Sequence, residues 1–240
     1  MGEKKLKIAF IVVLFFAVLF NAAPKVFASS TKAEYTMKKD KVVYRDNNEK
    51  VRGVVYYQYP KIKGDTAAVE KINKLLKSKS EAFMKSESAQ SIKDTVEYHA
   101  KDGSFYPEDV QYFYKTICKA TYNNNSILSL HMKECWYAGG VYNQTDYGYI
   151  FDLNSGEQLE IEDVVSGDDA TIKSKILKAA KKYLTSDGDF DQSAYELIKS
   201  NDFGDYKFYV SKGKVSICYG SYELGRGNGW DIFWVKGKYH

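Results

Sequence analysis

Two segments rich in aromatic and β-branched residues, 111–122 and 126–137, flank Asn124-Asn125. Asn tolerates the left-handed backbone of a tight hairpin turn, so this stretch is committed to an antiparallel strand pair. With Asn124-Asn125 at the turn, Cys118 falls opposite His131 and Cys135 opposite Tyr114. The two cysteines are then offset by about 13 Å along the strands. A disulfide needs Cα atoms within about 7 Å, so these neighbours should not bond to each other. Cys218 is the partner left for either, and three cysteines imply one disulfide and one free thiol in an oxidising compartment.

The remaining segments surround that hairpin with both element types. Residues 34–44 and 51–59 read as an opening hairpin across the polar turn at 46–49. Pro60 and Gly64 break the second strand, and Asp65 or Thr66 can cap a helix whose buried stripe is Val69, Ile72, Leu76 and Phe83. It ends in the Ser-rich stretch before Gln90, and a second helical or loop segment reaches Lys101. Residues 147–153 form a strand, turned by Asn154-Ser155-Gly156 into 158–161. A later helix, capped by Asp168 or Asp169, carries Ile172, Ile176, Ala179 or Ala180, and Tyr183. A short helix at 195–199 follows, then strands at 205–211, 215–219 and 231–235. The irregular alternation lacks a βαβ rhythm and predicts an α+β fold, a mainly antiparallel sheet with packed helices in two small, tightly associated modules.

Residues 1–28 stand outside that fold. Lys4, Lys5 and Lys7 precede an uncharged apolar run from Ile8 to Phe20, and Val26-Phe27-Ala28 supplies small residues before a cleavage point. This is the pattern of a secretory signal peptide, so the protein is expected to be secreted or held at the extracellular cell surface. Membrane attachment would require the signal to remain uncleaved. Its removal lowers the formal charge from +4 to about +1. With only Arg45, Arg52 and Arg226 as arginines, a nucleic-acid-binding role is set aside.

Catalytic patterns are thin. His99, His131 and His240 are the only histidines, and no nucleophile elbow or zinc-protease helix accompanies them. His131 and Cys135 share a strand face about 13 Å apart, too far for direct proton transfer. Asp187-Gly188-Asp189-Phe190-Asp191 alternates carboxylates, but Gln192 and Ile198 stand where a calcium loop needs Gly and Glu, so a helix-capping loop is expected. Glu157, Glu160, Glu162 and Asp163 could supply paired carboxylates, although an acidic capping stretch accounts for them more simply. No metal, cofactor or catalytic residue is assigned. The 21 tyrosines suit half-buried strands and contact surfaces alike.

Gly139-Gly140-Val141-Tyr142, followed by Phe151-Asp152-Leu153, Gly156, Leu159, Ile161 and Asp163-Val164, resembles the signature of the RsiV-type extracellular domain, DUF3298. The tail, with Tyr222-Glu223-Leu224 and Gly229, is similar to that family's closing segment. Tyr59-Pro60, Ile62, Gly64 and Ile72-Asn73 resemble the DUF4163 module that precedes it in RsiV-like anti-sigma factors and PdaC-type peptidoglycan deacetylases. The resemblance implies a signal peptide at 1–28, a DUF4163-like module at 29–109 and an RsiV/DUF3298-like module at 110–240.

Tyr142 occupies the family's histidine position, and neither a deacetylase domain nor a sigma-binding part is visible in this sequence. The resemblance therefore implies a non-catalytic recognition or envelope-stress protein, with an extracellular protein such as lysozyme, or peptidoglycan, as partner. The alternative is a cell-wall-acting enzyme, hydrolase or deacetylase-associated, using Asp163, Glu160 or His131. The expected contact residues are Trp136, Tyr137, Tyr142, Tyr147, Tyr222 and Trp230. Gly139, Gly140, Phe151, Asp152, Gly156 and Asp163 are expected to act as structural motif positions, the double glycine bending the chain where a side chain would clash.

Overall fold

The opening hairpin forms around a charged anchor. β1 (Tyr35–Arg45) and β2 (Val51–Ile62) pair antiparallel. In the turn between them Asp46 accepts from the backbone N–H groups of Asn48 and Lys50 and pairs with the buried Arg52 at 2.7 Å. The computed structural model describes residues 32–105, 107–186, 188–227 and 229–240, so the expected signal segment lies outside the described residues. β2 runs through Pro60 rather than stopping there. Its ladder with the next strand ends at Tyr57, so beyond that point the missing N–H leaves no bond of that ladder unmade.

Two helices follow, each started by a side-chain cap. Thr66 accepts from Val69 N–H to begin α1 (Ala67–Met84), and Ser86 accepts from Ala89 N–H to begin α2 (Glu87–Asp102). Val69, Ile72, Leu76 and Phe83 are all buried against the sheet, as their spacing implies. Leu76 is fully enclosed. Truncating it to alanine is expected to cost about 3 kcal/mol, measured as a lowered urea midpoint at unchanged slope.

The two-helix excursion returns the chain so that β3 (Tyr112–Asn124) lies parallel to β2. The local pattern announces no parallel pair, but a crossover of this length permits one. β4 (Ile127–Tyr137) and β5 (Asn143–Asp152) complete an otherwise antiparallel sheet ordered β1-β2-β3-β4-β5. This is the α+β architecture expected, with a second, three-stranded sheet added.

The β3–β4 register departs from the sequence-based one. The turn is centred on Asn125 and Ser126, both at positive φ, and a bulge lies between Ala120 and Tyr122. Cys118 therefore faces Met132, and Cys135 faces Lys115, rather than His131 and Tyr114. A one-residue slip exchanges faces, so the two cysteines point to opposite sides of the sheet. All three cysteines are free and buried, in place of the expected single disulfide. Burial alone pushes the Cys118 thiol up to about 12.

After β5 the chain builds a second core. Residues 158–161 make only one bridge, Phe151 to Gln158, before α3 (Ile161–Val164) begins, because Glu160 and Asp163 form a capping box. Asp168 caps α4 (Asp169–Leu184) and Asp191 caps α5 (Gln192–Ser200). Ile172, Ile176, Ala180 and Leu184 form the buried stripe, with Tyr183 half-buried beside it. A short 3-10 turn, Phe203–Asp205, leads to the antiparallel sheet β6 (Lys207–Ser211), β7 (Lys214–Tyr219) and β8 (Asp231–Lys236). No helix among the described residues is long and apolar enough to cross a membrane.

Candidate functional site

The five-stranded sheet has two unlike faces. Because side chains alternate along a strand, Tyr112, Tyr114 and Cys118 of β3 join Leu128, Leu130 and Met132 of β4 under α1 and α2. The other face is divided by β6, which lies across β5, β4 and β3. Val210 N–H donates to Ser129 Oγ at 2.8 Å, and Thr121 Oγ1 donates to the Val210 carbonyl at 2.6 Å. Tyr209 stacks on His131 with centroids 4.3 Å apart.

Beyond β6 this face stays open. One row crosses the whole sheet, since Lys41, Tyr56, Lys115, Cys135 and Gln144 are successive register partners. On one side lies the row Val43, Val54, Phe113 and Tyr137; on the other Ile117, Lys133 and Asp146, then Lys119, His131 and Gly148. Lys39, Lys41 and Lys119 are exposed, as is Ile117, while Tyr56, Phe113, Lys115 and Lys133 are half-buried. The ammonium groups lie over rings: Lys39 at 4.4 Å from the Tyr56 centroid, Lys115 at 4.0 Å from Phe113 and Lys133 at 5.7 Å from Trp230. Burial raises the Tyr56 hydroxyl, and the nearby Cys135 adds to that rise.

A buried polar chain holds the edge of this surface in shape. The Tyr142 hydroxyl lies 2.9 Å from Cys135 Sγ and 3.1 Å from Gln144 Oε1. Gln144 Nε2 donates to Asp146 Oδ2 at 2.6 Å, and His131 Nε2 donates to Asp146 Oδ1 at 2.5 Å. Gln144 and Asp146 are almost fully buried. Burial, then the Cys135 contact, raises the Tyr142 hydroxyl well above its ordinary range. The chain thus connects the Cys135 side of the sheet to His131, which strand spacing alone keeps apart.

The six expected contact residues do not form one patch. Trp136 packs on the helix side, its Nε1–H directed at Ser91 Oγ at 3.4 Å, and Tyr147 packs against the same core, its hydroxyl raised by burial. Tyr137 bridges Tyr112 and Phe113 at the end of β4. Tyr142 and Trp230 border the open face, Trp230 being 44% exposed. Tyr222 is exposed on the loop before β8, at positive φ.

The motif positions act through backbone geometry. Gly139 and Gly140 have φ of +88° and +95° in the exposed turn between β4 and β5. A Cβ at Gly140 would meet open space, so the left-handed conformation, and not a clash, accounts for glycine there. At Gly156 both reasons apply: φ is +73°, and a Cβ would lie 2.6 Å from the Ala68 carbonyl oxygen at the start of α1. Phe151 is buried, Asp152 accepts from Asn154 N–H, and Asp163 belongs to the α3 capping box. Of the carboxylate run, Asp187 lies outside the described residues, and Asp191 accepts from Ala194 N–H as a cap.

Lys115, Lys133, Phe113 and Tyr56 were not singled out by sequence reasoning. Their signal was the alternation Phe113, Lys115, Ile117, Lys119, which runs opposite to the buried set on the same strand.

Residues 45–142 match the family model described as Deacetylase PdaC. The matched region runs from the end of β1 through α1, α2, β3 and β4 to the double-glycine turn. The fold is also that of solved DUF3298 proteins. A member from Bacteroides fragilis superposes with a TM-score of 0.57 at 12% identity, covering 87% of this chain and 91% of that one. A second, from Pseudomonas aeruginosa, gives 0.52 at 15% identity, covering 87% and 92%. No curated protein matches the chain.

Proposed function

We propose that this chain is an exported, non-catalytic recognition protein of the cell envelope, binding peptidoglycan through the open face of its five-stranded sheet. The observation that carries this reading is the set of lysines and half-buried rings sharing that face: Lys39, Lys41, Lys115, Lys119 and Lys133 with Tyr56 and Phe113. Sugar rings offer apolar faces to aromatics, and stem peptides offer carboxylates to lysines. At the surface positions of those rows the charged side chains are lysines, and Asp146 is buried in its own network. Such a field attracts an anionic polymer and opposes a basic protein, so peptidoglycan is favoured over lysozyme. The modules at 29–109 and 110–240 would then act together, because the face draws on strands from both.

Sedimentation with insoluble peptidoglycan tests this. The protein is expected in the pellet, and reversing Lys115 and Lys133 to glutamate is expected to weaken retention about tenfold, two partly exposed charge pairs contributing roughly 0.7 kcal/mol each. Unaltered retention of a folded double variant, or tight binding to lysozyme by calorimetry with none to glycan, would remove the assignment.

A second reading, a cell-wall deacetylase, draws on the description of the matched family. His131 and Asp146 would be its proton-transfer pair. Tyr209 covers His131, and Asp146 is 2% exposed, which favours a structural role for the pair. Release of acetate from acetylated glycan, lost in Asp146→Asn, would reverse that preference.

A further inference from the structure

We propose that the groove between α4 and the free edge of β8 binds an extended acidic peptide, added as a strand to the second sheet. The groove has a volume of about 630 Å³. One wall is a stripe of α4 carrying Lys175, Lys178 and Lys182, at spacings of three and four that place them on one helical face. The other wall is the continuous chain from Trp234 to Lys238, in which Lys236 and Lys238 are exposed. β8 is the last strand in the order β6-β7-β8, so its edge opposite β7 pairs with no strand among the described residues.

The charge is uncompensated. Lys175 donates to the Ser166 carbonyl and Lys238 to the Glu162 carbonyl, which fix the ammonium groups without neutralising them. None of the ion pairs among the described residues involves these five lysines. Trp234 is 54% exposed at the rim, with Lys214 Nζ 4.5 Å from its ring.

Lysines on an exposed edge ordinarily prevent pairing with another copy of the same strand. That accounts for Lys236. It does not account for three more lysines facing the edge from a helix. The same charges that repel a second copy select a strand of opposite sign, and an open edge supplies backbone donors and acceptors for strand addition. The helical stripe spans about 10 Å and residues 232–236 of β8 about 13 Å, lengths that match along some four residues of an extended peptide. The exposed tryptophan at the rim provides an apolar contact for one of its side chains.

The test uses the whole protein and a short peptide alternating glutamate with valine, followed by calorimetry and by backbone amide shifts. Binding is expected, with shifts at residues 232–236. The double variant Lys178→Glu/Lys182→Glu, folded by circular dichroism, is expected to bind at least tenfold more weakly. A peptide with one central proline, which removes a ladder donor, is expected to lose a similar factor. Lys115→Glu, on the open face of the first sheet, is expected to leave this binding unchanged, which separates failure here from failure of the glycan reading. The proposal is overturned by absent peptide binding, by equal binding of the proline peptide, or by inorganic polyphosphate binding in the peptide's place. Concentration-dependent self-association through the same edge would overturn it in favour of a second copy.

Discussion

Gly148→Ala is expected to destabilise the protein by about 3 kcal/mol or more. Gly148 lies in β5 where β6 crosses it. An added Cβ would overlap the Phe208 carbonyl oxygen, lie 2.8 Å from Tyr209 Cβ and approach the Leu130 carbonyl at 3.0 Å. Two of those three neighbours are backbone, so no rotamer change relieves the overlap, and the sheets must separate. Overpacking usually costs 1–3 kcal/mol where side chains can adjust, and about 3 is a lower expectation where they cannot. Separation would also break the Tyr209–His131 stack and the Ser129–Val210 hydrogen bond. Urea denaturation followed by tryptophan fluorescence measures it. Gly140→Ala is the control: nothing lies within 4 Å of its Cβ, so only the left-handed backbone opposes the change, at about 1 kcal/mol. Equal effects at both positions would show that the sheets do not pack as described.

Asp146→Ala is expected to cost about 3 kcal/mol, through a different cause. Its carboxylate is 2% exposed and accepts from both His131 and Gln144. Removing it leaves the donors of the buried Gln144 and the half-buried His131 without their acceptor, and each buried donor left unsatisfied costs about 1–3 kcal/mol. Some of that is recovered here because His131 retains partial exposure. Asp146→Asn keeps one acceptor oxygen and is expected to lose less than half as much. Chemical denaturation of both variants decides the point. A neutral alanine variant would mean that the chain from Cys135 to His131 is not a cooperative unit, and Tyr142 would then lack the support that holds it beside the open face.

The two results depend on information carried at different levels. The helices were legible because capping and periodicity are local. Thr66, Asp168 and Asp191 cap as their side chains permit, and Val69, Ile72, Leu76 and Phe83 bury one face of α1. The β3–β4 hairpin was legible as an element but not in register. A turn centred one residue later and a bulge near Thr121 exchanged the faces of the cysteines, and alternation has no tolerance for a one-residue error.

The expected contact aromatics show the same limit. Trp136 and Tyr147 pack into the helix-side core while Tyr142 and Trp230 border the opposite face, so the expected set was divided by the sheet. Conversely, Tyr56, Lys115 and Cys135 lie far apart in sequence and form one row. The parallel β2–β3 pair that completes the row depends on how α1 and α2 return the chain, a long-range outcome no local pattern states.

The sequence by itself determined most element types, the starts of α1, α4 and α5, and the glycine turns, because each rests on neighbours within a few residues, and it carried the likeness to PdaC and DUF3298 proteins. Only the tertiary structure decided which lysines share a face, which histidine stacks on Tyr209 and which strand edge remains open. Those outcomes follow from strand order and register, where a single residue of offset, or one sheet laid across another, changes which side chains meet.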